Sequence, residues 1–72
     1  MNKDRRVRIE KLCENLEELN DILAEEQEAF DNLPESILES ERGEAMQNGI
    51  TCLEDASTSL DDTTDNLRGA IE

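Results

Sequence analysis

The sequence predicts an all-α protein: an antiparallel two-helix hairpin, coiled-coil-like, that dimerises into a four-helix bundle. Three observations predict it. Apolar residues recur at alternating steps of three and four in two long segments, as on one stripe of a helix. A single proline, Pro34, lies between those segments. With 72 residues and no histidine, the chain is too small for a generous core and lacks the usual means of a zinc staple, which leaves oligomerisation to stabilise it. The whole of residues 1–72 is one domain, with helix 1 over about 4–31, a loop over 32–40 and helix 2 over about 41–71.

In helix 1 the apolar stripe runs through Ile9, Leu12, Leu16, Leu19 and Leu23. Glu26 interrupts it and Phe30 resumes it, while Cys13 and Ile22 flank it. In the loop, Pro34 cannot continue a helix and pushes Leu33 towards an extended conformation. Leu33, Ile37 and Leu38 are expected to plug the open end of the hairpin. Ser40 is a good N-cap, with Glu41 and Glu44 in the first turn, where the helix dipole favours negative charge. Ser36, with Glu39 completing a capping box, is the alternative start.

Helix 2 is an internal heptad repeat: EAMQNGI, TCLEDAS, TSLDDTT, DNLRGAI. Its large column is Met46, Leu53, Leu60 and Leu67, and its second column is Ile50, Ser57, Thr64 and Ile71. Ser57 and Thr64 weaken the middle of the stripe; they either pin register or face a hydroxyl-lined contact. A turn centred near Ser36 staggers Cys13 and Cys52 by seven residues, about 10 Å, which excludes an intrachain disulfide.

Charge is the distinctive feature. The formal net charge is −13, unevenly spread. Residues 1–11 hold five basic and two acidic side chains, net +3; residues 12–72 hold two basic and 18 acidic, net −16. No lysine or arginine occurs from Leu12 through Glu41. Such a surface repels nucleic acid and anionic membrane and attracts basic partners. In the predicted hairpin the basic start, with Arg5, Arg6 and Arg8, lies near Asp61, Asp62 and Asp65 of helix 2. Cross-helix pairing is one reading of it; a phosphate contact is the other.

Glu14, Glu18, Asp21, Glu25 and Glu28 step by four, three, four and three, so they form one ladder along a helix face, about 5 Å per turn. Glu17 and Asp31 border it, and Glu54, Asp55, Asp61, Asp62 and Asp65 extend the negative surface onto helix 2. The ladder spacing is of the same order as that of phosphates along a DNA strand. Solubility alone is the rival explanation of a charge run. It leaves unexplained why like charges sit one turn apart, which destabilises a helix by a few tenths of a kcal/mol per pair.

Nothing in the sequence points to catalysis. There is no histidine to activate a serine or cysteine, carboxylates on exposed helix faces stay ionised, and no Asp-x-Asp-x-Asp-Gly run supplies a calcium loop. The reading calls for no enzyme, no cofactor and no metal. No apolar run spans a bilayer and the start lacks a signal-peptide core, so a cytoplasmic protein with reduced thiols is expected.

The stretch EEQEAFDNLPESILESERGEAM, Glu25 to Met46, followed by heptads, resembles a group of short acidic helical proteins encoded in bacteriophage and prophage genomes. The resemblance runs from Glu25 to the C-terminus. It implies a phage accessory protein, of a kind often used to disable a host system. Ser57, Thr58, Thr63 and Thr64 depart from the Ala and Glu of that group, leaving helix 2 less acidic. The expected partner is therefore a basic protein surface, that of a host nucleic-acid-binding or defence protein, bound by the carboxylates that imitate DNA. The chain itself is expected to be a homodimer, bound to neither nucleic acid nor membrane. Two other classes stay open: an adaptor or self-assembling bundle whose acids only solubilise it, and a small DNA-associated protein using its basic N-terminus.

Overall fold

A computed structural model describes all 72 residues. It is all-helical: α1 spans Lys3–Asp31, α2 Glu35–Leu38 and α3 Glu41–Ile71. At 1.5 Å per residue α1 and α3 are about 43 and 46 Å long. They pack along each other in a rod of 55 × 15 × 13 Å. The radius of gyration is 16.6 Å, against about 11 Å for a compact domain of this length.

The two long helices begin where a side chain can satisfy a free backbone N–H group. Asn2 Oδ1 accepts from the Arg5 amide at 2.9 Å, and Ser40 Oγ accepts from the Gly43 amide at 3.4 Å. α1 stops at Asp31, just before Pro34, which starts the single turn α2 by accepting at its carbonyl from the Ile37 and Leu38 amides. The segment expected to be a loop therefore contains one helical turn. α2 packs on the start of α3, and Leu33, Ile37 and Leu38 are half-buried there. Gly43 is buried at this corner; a Cβ on it would meet the backbone carbonyl oxygens of Ile37 and Leu38. Only glycine lets α2 come this close.

The interior is thin. Five residues are buried: Cys13, Gly43, Ile50, Leu60 and Thr64. On α3 the inner stripe steps regularly through Gly43, Met46, Ile50, Leu53, Ser57, Leu60, Thr64, Leu67 and Ile71, all buried or half-buried. On α1 the inner stripe is Ile9, Cys13, Leu16, Asn20, Leu23, Gln27 and Phe30. Cys13 is fully buried, whereas Leu12 and Ile22 are 47 % and 46 % exposed. Of the expected stripe, Ile9, Leu16, Leu19, Leu23 and Phe30 are half-buried and so is Glu26; Leu12 alone is exposed, and Cys13, expected on the flank, takes its inner place.

Two polar contacts fix how α1 meets α3. Ser57 Oγ donates to Asn20 Oδ1 at 2.7 Å, and Arg68 meets Glu17; moving back along α1 moves forward along α3. A turn centred on Ser36 would set Asn20 level with Cys52. The observed partner is five residues later, because α2 takes up chain and displaces the register. Counting from Asn20 and Ser57, Cys13 is level with Thr64, about 18 Å along the rod from Cys52; both cysteines are free. The same count sets Asp61 level with Leu16 and Asp65 with Leu12, and Arg5 and Arg6 beside the end of α3. The expected pairing of those arginines with Asp61, Asp62 and Asp65 does not form; the ion pair in the basic segment is Arg8 with Asp4, at 3.7 Å.

Thr64, buried in the stripe, donates to the Leu60 and Asp61 carbonyls at 3.0 and 3.1 Å. No buried side-chain polar atom lacks a partner, so the polar seam positions carry no desolvation penalty of the kind an unpaired group would. No helix is long and apolar enough to cross a membrane.

Candidate functional site

Carboxylates converge where the middle of α1 faces the last third of α3. An open groove of about 950 Å³ runs there. From α1 it is lined by Glu14, Glu17, Glu18 and Asp21, and from α3 by Asp61 and Asp65, with Asn20, Leu60, Thr64 and Arg68 completing it. Six carboxylates face one guanidinium, a formal net charge of −5.

The helix period explains the α1 side: residues 14, 17, 18 and 21 share one face. The α3 side depends on register, since residues 61, 65 and 68 reach the groove only with Ser57 set against Asn20. The floor is made by Leu60 and Thr64, whose hydroxyl is turned to its own helix.

The groove divides the sequence-predicted acids. Glu14, Glu17, Glu18, Asp21, Asp61 and Asp65 are brought together. Glu25, Glu28 and Asp31 continue along the exposed face of α1 beyond the groove, where Asp31 accepts from Gln27 at 3.0 Å. Glu54, Asp55 and Asp62 are exposed on α3 and do not line it.

Arg68 is the residue that the ladder pattern does not contain. It is one of two basic residues after Lys11, and its place in the last turn of α3 favours a cation electrostatically. The Glu17 carboxylate, through a hydrogen bond and its charge, raises the Arg68 guanidinium above its already high ordinary value. Arg68 is a full cation at any working pH, and it neutralises Glu17 alone among the groove acids.

Glu14, Glu18, Asp21, Asp61 and Asp65 are left without a protein cation. No group of three or more histidine, cysteine, aspartate or glutamate side chains is arranged to hold a metal ion. The arrangement is an open groove of strongly negative charge. Compared with protein-family models, curated proteins and solved structures, the chain matches none.

Proposed function

We propose that this is a non-enzymatic binding protein that occupies a basic, normally nucleic-acid-binding surface of another protein by presenting carboxylates in place of phosphates. The proposed setting is the cytoplasm of a bacterial host, with a phage-type protein blocking a host or defence protein. The observation that carries this reading is the groove: six carboxylates from two helices converge, and one cation answers them. A face kept only for solubility has no need to gather like charges from residues about 40 positions apart, at a cost in repulsion. The rod form supports the reading too, since a stiff, straight array of acids suits a groove built for a duplex. The carboxylates supply fast, oriented encounter more than raw affinity.

The proposed architecture is an antiparallel hairpin that pairs with a second copy as a four-helix bundle. Five buried residues in 72 make a thin interior for a free-standing domain. The exposed Leu12 and Ile22 also favour a second reading, a self-assembling structural bundle whose acids only keep it in solution.

Capture from bacterial lysate at low ionic strength distinguishes the two. Nucleic-acid-binding proteins that are retained, and that duplex DNA then displaces, support the mimic. Retained proteins that ignore duplex DNA, or none retained at all, leave the structural reading.

A further inference from the structure

α1 carries a second regular stripe that α3 covers only in part. One column is Arg5, Leu12, Leu19 and Glu26; the other is Arg8, Asn15, Ile22 and Ala29. Together they step by three and four, the spacing of a helix seam, over 25 residues. At 100° per residue this face lies about a quarter turn from the inner stripe, on the side away from the acidic groove. Its middle is apolar, and Leu12 and Ile22 stand nearly half exposed. Its N-terminal end is basic and its C-terminal end has Glu26.

We infer that this face is the interface with a second copy of the chain, α1 against α1, antiparallel about a two-fold axis midway between Leu12 and Ile22. The pattern is complementary to itself in that arrangement. Reflection through the midpoint sets Leu12 against Ile22 of the second copy, Arg8 against Glu26 of the second copy, and Asn15 against Leu19 of the second copy. A parallel arrangement would set Arg5 and Arg8 against their own copies, like charge on like charge.

Three further observations support a second copy as the occupant. Glu26 is half-buried with no cation from its own chain. Arg8 holds only a long, mostly exposed contact with Asp4, the kind that contributes little. The accessible surface of the chain is 5452 Å², against about 4,500 Å² for a compact chain of 8.2 kDa. The excess, about 900 Å², follows from the rod form, which leaves the outer face of α1 accessible to a second copy. This arrangement leaves the groove open to solvent, so both copies present their carboxylates outwards.

The inference rests on the dimer of the proposed architecture and adds its face and direction. Sedimentation equilibrium of the full chain at low salt tests it, with helicity followed by circular dichroism. The unaltered protein is expected to be a dimer at micromolar concentration. Arg8→Glu and Glu26→Arg should each weaken dimerisation about tenfold, because each removes two pairs and creates two repulsions per dimer. The double variant should return to near the original affinity. Ile22→Asp should give a helical monomer. A monomeric unaltered protein overturns the dimer reading together with this face. A dimer indifferent to Ile22→Asp and to both charge reversals overturns this face and leaves the dimer. Weakening without rescue in the double variant overturns the antiparallel pairing.

Discussion

At the scale of the residue, stability is concentrated in very few side chains. Ile50 is fully buried, and Ile50→Ala should cost about 2–5 kcal/mol, a large share of what a thin two-layer rod can have. Gly43 is as constrained for a different reason. A methyl group there meets backbone carbonyls of α2, and backbone cannot swing aside as a side-chain tip would. Gly43→Ala normally favours a helix, yet here it should destabilise by about 1–3 kcal/mol through overpacking. Thermal melts followed at 222 nm check both, and a Gly43→Ala protein that melts higher than the parent would show that the α2 corner yields freely. The cysteines differ in the same sense. Cys52 is exposed and Cys13 fully buried. A maleimide should label Cys52 at once and Cys13 only as the α1–α3 pair opens, so mass spectrometry over time should show one adduct, then slowly a second. Two adducts forming together would mean that the Cys13 layer is open in solution.

At the scale of the element, the Asn20–Ser57 contact is the polar layer between α1 and α3. Replacing both by apolar residues, Asn20→Leu with Ser57→Ala, exchanges an exposed polar contact for apolar area between the helices, so thermal stability should rise. Register should loosen, because mismatched layers no longer leave a polar group unpaired. Broadened amide resonances along α1 with a raised melting temperature are the expected pair of results; sharp resonances would mean that other layers hold the register. This layer also explains what was legible in the sequence. The helical class was readable because both segments keep the period of a helix, and Pro34 and Ser40 punctuate them chemically. The α3 repeat was plain because Met46, Leu53, Leu60 and Leu67 stand in one column. On α1 the column that faces inwards holds Cys13, Asn20 and Gln27, while the neighbouring column holds the more apolar Leu12 and Leu19. Hydrophobicity therefore misplaces the Cys13 layer by one residue, with Leu12 exposed and Cys13 buried, while Ile9, Leu16, Leu23 and Phe30 stand where the pattern puts them. α2 was invisible because four residues after a proline carry no period. The Gly43 corner was invisible because close approach of two backbones leaves no pattern. The acids of α1 were legible as a ladder, but their meeting with Asp61, Asp65 and Arg68 depends on a register that α2 displaces by five residues.

At the scale of the whole molecule, charge sets two responses of opposite sign to salt. The exposed acids repel one another within the rod, so added sodium chloride should raise the melting temperature. Attraction to a basic partner is screened by the same ions, so binding should collapse as stability improves. A partner complex unchanged by salt would mean that apolar contact, not charge, holds it. Salt acts on every charge at once, however, and the groove makes a sharper demand. Glu14→Gln, Glu18→Gln and Asp21→Asn together remove three charges from it and leave Glu17 to Arg68. Glu25→Gln, Glu28→Gln and Glu54→Gln remove three charges from outside it. Both sets lower the net charge equally and relieve repulsions of a few tenths of a kcal/mol at one-turn spacing, so both should keep or slightly raise stability. If the groove receives the basic side chains of a partner, the first set should weaken binding by a large factor, mainly by slowing association, and the second only slightly. Arg68→Gln, which frees Glu17, should tighten it. Equal weakening by the two sets would make the acids a diffuse field with no site. Undiminished binding in both would reduce the charge to solubility and end the phosphate-mimic reading.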